Sequence, residues 1–271
     1  MRNQFQEYCK IMNSKSSGTC VIVVDYSENY TCKQRRAIQS AHFGASNLQI
    51  SLHTGVAYVQ NEKMSFCSVS DCTQHDPSAI WACLLPVLRA LREKYPSIEH
   101  LHFWSDGPVT QYRNKHNILL ALQLVFREGF KGSTWNYIEA GHGKGAADAI
   151  GGITKRAAVE LLIMVWTLMM HQWCTMFWKK TTAVEVFQVT EDDVAAIDSL
   201  LPSMVQPIVG IMNVHQLQLS KSCKVLLRNL SCFLCSSITM WVLWSTHRAC
   251  STNSTSIAVE LQILPFIHQL T

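Results

Sequence analysis

Residues 20–33 read CVIVVDYSENYTCK. Val21, Ile22, Val23 and Val24 form an unbroken β-branched run, the pattern of a strand buried on both faces. Asp25 ends the run, and a carboxylate there is costly to desolvate unless something compensates it. A strand-end amide or a nearby Arg or Lys would serve, so the run alone leaves the partner open.

Working outward, a polar, basic segment (31–47) is followed by LQISLHTGVAYVQ (48–60) and MSFCSVS (64–70), separated by the turn-like NEK. Both are rich in β-branched and aromatic residues and predict two further strands forming a hairpin. Residues 77–95 carry Ile80, Cys83, Leu84, Val87, Leu88 and Leu91 on one helical face, with Pro86 expected to kink the helix. SIEHLHFWSDG (97–107) predicts a fourth strand that ends in Asp106. NKHNILLALQLVFREG (114–129) predicts a helix closed by Gly129, and STWNYIEAG (133–141) a fifth strand. A third helix starts in AADAIGG. The order is β-β-β-α-β-α-β-α, an α/β chain with a mixed sheet. TEDDVAAIDSLLPSM (190–204) then predicts a helix capped by Thr190 with Asp193 three residues on. The expected division is a lead-in at 1–19, a core at 20–178 and a helical, cysteine-rich extension at 179–271.

A chain of 271 residues is long enough for a sizeable core, and a net charge of +4 does not by itself mark a nucleic-acid binder. Eleven cysteines without an apolar leader in MRNQFQEYCK point to reduced thiols inside the cell. The apolar stretches 157–178 and 230–244 read as buried helices. The first is interrupted by Glu160, His171 and Gln172, and the second is shorter than the ~20 residues a membrane span requires.

Asp106 repeats the situation of Asp25: it follows an apolar strand and precedes a forced turn at Gly107–Pro108. Asp148 lies in the first turn of the third helix, where simple capping also accounts for an acid. Three carboxylates brought together stay ionised only beside a cation. Two Mg²⁺ ions (or Mn²⁺), held by few carboxylates and completed by water and phosphate, clamp an in-line phosphoryl displacement.

The blocks VVDYSENYTCK, QSAH, HFWSDGPVTQYRNKHN and EAGHGKGAADAIGGITKRAA resemble the ribonuclease H-like catalytic core of DDE/DDD transposases and integrases. More narrowly, they are similar to a group of transposase-derived animal proteins bearing D-x-x-E-N-Y, S-D-G…Q-Y-[KR]-N-K and H-G-K-G…D-x-I-G-G…K-R signatures. The resemblance runs from about residue 20 to 235. It implies a ribonuclease H-like sheet with the first and fourth strands as parallel neighbours. It also implies Asp25, Asp106 and Asp148 as catalytic metal ligands, DNA as partner, and a nuclear location. Glu139 and Glu28 are reserve ligands. A domesticated DNA-binding protein without turnover is the alternative, and a homo-oligomer is compatible with either.

GHGKG fails the P-loop pattern, because position 138 is Ile and position 145 is Gly. His142 and Lys144 are instead candidates beside a phosphate. Arg113, Lys115, Lys155 and Arg156, with Lys33, Arg35 and Arg36, are candidate phosphate contacts on the rim. Gly151 and Gly152 inside a helix each cost about 1 kcal/mol relative to Ala and imply a close approach. The spacing suggests a phosphate backbone passing Gly152 between Asp148 and Lys155. Cys232, Cys235, His247 and Cys250 have the spacing of a zinc site, although buried structural thiols are the favoured reading of them. Cys67, Cys72 and His75 form a weaker cluster.

Overall fold

A computed structural model of the chain describes residues 9, 11, 18–31, 49–138, 146–164, 183–205, 208, 211, 214–220, 224–228, 242–243 and 256–261. The hydrophobic run opens β1 (Thr19–Thr31). It is followed by β2 (Gln49–Val59) and β3 (Glu62–Ser70), which pair antiparallel as the expected hairpin. Helix α1 (Pro77–Lys94) starts where the Asp76 carboxylate accepts from the Ala79 amide at 2.9 Å and Pro77 fills the first turn. Pro86 does not end it: the helix runs through to Lys94, held by the buried neighbours Leu85, Val87 and Leu88.

Strand β4 (His100–Ser105), helix α2 (Lys115–Arg127), strand β5 (Gly132–Tyr137) and helix α3 (Ala146–Met164) follow in the expected order. Asn114 caps α2 by accepting from the Asn117 amide. Gly129, at φ 88°, ends it in the left-handed region open to glycine. Past α3 come β6 (Val184–Val189), α4 (Glu191–Asp198), β7 (Gln216–Ser220), β8 (Lys224–Arg228), β9 (Val242–Leu243) and β10 (Ser256–Leu261). Thr190 and Asp193 form the expected reciprocal cap of α4.

The strands make one mixed sheet in the order β6-β3-β2-β1-β4-β5-β7-β8-β10-β9. β1, β4 and β5 are mutually parallel at its centre, and β2 runs antiparallel to β1. Alternation along the strands splits the side chains between two faces. On one face Ile22, Val24, Phe103 and Trp135 pack with Trp81, Leu84 and Leu88 of α1 and Leu120 and Leu124 of α2. Phe103 and Trp135 stack there at 4.7 Å, and Trp81 meets Trp135 edge-on. On the other face Ile150 of α3 packs on Leu52, Val56, Cys67, Val69 and Val186.

Two expectations need correction. The described parts of the extension are mostly strand rather than helix: only α4 is helical there at any length, while β6 adds to the edge of the sheet beside β3 and β7 pairs with β5. Their alternating apolar residues find a sheet edge to join, which a single sequence does not reveal. Of the two stretches read as buried helices, the first is helical through Met164, and the second, apart from β9, lies outside the described residues. Among the described residues no helix is long and apolar enough to cross a membrane.

Candidate active site

The parallel register of β1 and β4 pairs Val23 with Trp104. Asp25 and Asp106 each lie two residues further on, which puts them side by side at the carboxyl end of the pair and on one face, since alternate residues share a face. Parallel neighbours are about 4.8 Å apart, so two carboxylates meet here by register alone. Asp148 enters from α3, which crosses the same face. Its first turn is fastened by Thr54, whose hydroxyl lies 3.0 Å from the Ala147 carbonyl and 3.3 Å from the Asp25 carbonyl. The helix comes so near β1 that a Cβ at Gly151 would stand 2.8 Å from Ser27 Oγ. Asp148 itself is exposed.

The charges respond to this convergence. Burial, and then the charges of Asp106 and Asp148, push the Asp25 carboxyl up from 3.8 to about 7, against a hydrogen bond from the Tyr26 amide. Asp106 is also raised, by burial and by Asp148, and is partly relieved by Arg113. Tyr112, buried beneath both acids, has its phenol pushed well above its ordinary range by burial, Asp25 and Asp106. Asp106 Oδ1 is buried without a hydrogen-bond partner. An orphaned carboxylate oxygen beside two further acids is a set of hard oxygen donors short of positive charge, which suits Mg²⁺ or Mn²⁺. Among the described residues, however, no three His, Cys, Asp or Glu side chains gather closely enough to hold one ion. The fit is therefore to ions held by pairs of carboxylates and completed by water, as Mg²⁺ commonly is.

The segment QYRNKHN (111–117) builds the floor of this site. Tyr112 Oη pairs with His53 Nε2 at 3.1 Å. Burial, then His75, holds His53 neutral, with its pKa lowered to about 3. Asn117 donates to the Tyr112 carbonyl at 2.7 Å and accepts from the Trp81 indole at 2.8 Å, and Tyr137 Oη donates to the same Tyr112 carbonyl. Tyr26, next to Asp25, stacks on His75 at 4.0 Å, and His75 is hydrogen-bonded to Asn29.

Arg113 belongs to this floor and corrects its expected place on the rim. It is 9% exposed and lies flat over the Tyr137 ring at 4.7 Å. It occupies the space that a Cβ at Gly107 would take, 2.6 Å from its Nη2. Gly107 thus lets a cation approach from behind Asp106, and burial makes Arg113 a counter-charge to that acid. Lys115 is likewise engaged, donating to the Val205 carbonyl.

Lys155, half-buried, and Arg156, exposed, are the described cations of α3. Gly152 and Gly151 divide their roles. Among the described residues a Cβ at Gly152 would meet only Arg156, at 3.5 Å, whereas one at Gly151 would meet Ser27 of the sheet. Glu28 lies in β1, and nothing of its side chain is described. Glu139, His142, Lys144, Lys33, Arg35, Arg36 and the zinc candidates Cys232, Cys235, His247 and Cys250 lie outside the described residues. Cys67 and Cys72 are buried with thiols held protonated by burial, and His75 is committed to Tyr26 and Asn29, so that cluster is part of the packing. Thr54, Tyr112 and His53 escaped the sequence reading, as did the room that Gly107 leaves for Arg113. The Tyr-Arg-Asn-Lys-x-Asn spacing at 112–117 carried a signal, but it reads equally as a run of solvated polar side chains.

Fold and site together define a mixed α/β protein with an acidic cleft at the carboxyl ends of two parallel central strands. The chain belongs to a family described as a domain of unknown function (DUF8701), whose model matches residues 2–231. Among curated proteins none matches the sequence at a significant level. Among solved structures, the Mn-soaked, inhibitor-bound human cytomegalovirus terminase nuclease domain aligns at 10% identity. The alignment covers 66% of this chain and 70% of that one, with a TM-score of 0.30. A second structure of the human cytomegalovirus terminase nuclease domain aligns at 8% identity over 72% and 79%, also at 0.30. Likeness at that level carries no functional argument.

Proposed function

We propose that this chain is a ribonuclease H-like, transposase-type domain that cuts or joins DNA strands by divalent-metal-assisted phosphoryl transfer. The observation that carries the reading is the convergence of Asp25, Asp106 and Asp148 on one cleft, with Asp106 Oδ1 buried and unpartnered. Asp25 would be shared between two ions, with Asp106 completing the inner pair and Asp148 the outer one. Once bound, Mg²⁺ or Mn²⁺ ions supply Lewis-acid charge at a scissile phosphodiester and lower the pKa of the attacking oxygen. Asp25 and Asp106 would orient that charge from rigid strands, and Arg113 favours the ionised form of Asp106 against burial and Asp148. Lys155 and Arg156 stand a turn or two beyond Asp148 on α3, where they would meet flanking phosphates.

One observation favours the alternative, a DNA-binding domain of the same fold without turnover: no three described acids close around a single ion. Asp106→Asn separates the two. It preserves shape and removes a charge that repels phosphate, so it should abolish Mg²⁺- or Mn²⁺-dependent cleavage while leaving DNA binding intact or tighter. Wild-type protein that binds DNA and never cleaves it with either ion supports the binder. Cleavage that survives in the variant removes Asp106 from the chemistry.

A further inference from the structure

In the antiparallel register of β1 and β2, Thr54 stands directly across from Asp25. Its side chain is 1% exposed, and its one hydroxyl proton faces two acceptors: the backbone carbonyl of Asp25 at 3.3 Å and that of Ala147 at 3.0 Å. One arm of this shared bond ends on the strand that carries Asp25. The other ends on the residue before Asp148. One turn along α3, Gly151 completes the contact: its missing Cβ would lie 2.8 Å from Ser27 Oγ and 3.9 Å from Thr54 Oγ1. Packing alone does not call for a hydroxyl here, since Val has the same shape and suits a strand better.

We propose that Thr54 is a positioning residue. With Gly151 as its steric counterpart, it sets how near α3 brings Asp148 to Asp25, and so the geometry of the ion held between those two carboxylates. The role rests on the metal reading of the acidic cleft, but the docking of α3 on which it depends is measurable without metal.

Thr54→Val keeps the shape and removes the proton, and Thr54→Ser keeps the proton. Gly151→Ala pushes helix and strand apart by a different route, and adding Ser27→Ala removes the 2.8 Å overlap. The first measurement is amide hydrogen exchange at residues 150–152 in the presence of chelator. Exchange should be about tenfold faster in Thr54→Val, the scale of one buried hydrogen bond, and close to wild type in Thr54→Ser. Protection of the strands that carry Asp25 and Asp106 should not change. The second is calorimetric titration with Mn²⁺. The weaker of two binding steps should lose about tenfold in affinity in Thr54→Val and Gly151→Ala, with the tighter step unaltered and with recovery in Thr54→Ser and in Ser27→Ala/Gly151→Ala. Unchanged exchange in Thr54→Val overturns the proposal. So does faster exchange with both Mn²⁺ steps intact. If exchange accelerates but wild-type protein takes up no Mn²⁺, the metal reading of the cleft fails, while the docking role of Thr54 stands.

Discussion

On the proposed metal reading, the acidic cluster destabilises the protein when the cation is removed, and at Asp25 the size of this effect can be worked out. The folded carboxyl holds its proton up to about pH 7, because burial and the neighbouring acids oppose its charge, whereas the unfolded chain releases it near 3.8. Between those values the folded state binds the extra proton, so metal-free stability is greatest below pH 4 and falls as pH rises through 7. A difference of about 3 pH units at 1.36 kcal/mol each sets a ceiling of about 4 kcal/mol. Asp25 is partly open to solvent, and screening brings the expected loss to about 2 kcal/mol. Asp25→Asn does not titrate. In chelator, it should match wild type at pH 4 and exceed it by about 2 kcal/mol at pH 8, roughly a thirtyfold change in the folded-to-unfolded ratio. Saturating Mg²⁺ should reverse the ranking, since ligand binding stabilises only the protein that binds it. Urea denaturation at both pH values, with and without Mg²⁺, measures all four. An Asp25→Asn protein that is less stable than wild type at pH 8 in chelator would refute the reasoning, because the carboxylate would then have a compensating partner other than metal.

Arg113→Met should cost about 1 kcal/mol in the same assay, since its attraction to the half-buried Asp106 is screened and only part of the balance at that acid. Arg113→Lys should recover little of it, because an ammonium cannot lie flat over Tyr137 as the guanidinium does. Gly152→Leu should leave thermal stability unchanged or raise it by up to about 1 kcal/mol, since among the described residues a Cβ there meets only Arg156. A titration at two salt concentrations should show it weakening DNA binding if a strand passes over α3 at this point, and unaltered affinity excludes that path.

What could be read from the sequence was local. The β-branched run ending in Asp25, the aspartate before Gly107–Pro108, the helix stop at Gly129 and the capping signal at Thr190 each lie within a few residues of their physical cause. The structure places them as expected. What escaped was non-local. Thr54 owes its role to a carbonyl 93 positions away, and nothing in TGVAYV announces it. Arg113 reads as a rim cation until Gly107 is seen to leave room for it beside Asp106, six residues back. Val184–Val189 becomes the edge strand of the sheet only because β3 is free to pair with it, in parallel, across more than a hundred residues. Pro86 marks a break by its own chemistry, and buried neighbours on either side override it.

The energetics of the cleft also bear on the choice between enzyme and binder. A surface that has only to hold DNA gains from positive charge and loses from negative charge aimed at the phosphates. Asp25 and Asp106 are half-buried and face a common cleft, and burial and mutual repulsion raise both. For a pure binder each is a double cost, in stability and in affinity, and Asn at either position would relieve both without changing shape. Among the described residues relief is only partial: the floor of Tyr112, His53 and Asn117 is neutral and enclosed, and Arg113 offsets part of the rise at Asp106. Once ionised, these acids make the open side of the cleft negative, which is useful only if a cation arrives from solvent together with, or ahead of, the phosphate. The inner acids therefore weigh on the side of metal-assisted chemistry. The outer acid, Asp148, exposed and dependent on how α3 docks, is where turnover would be lost first.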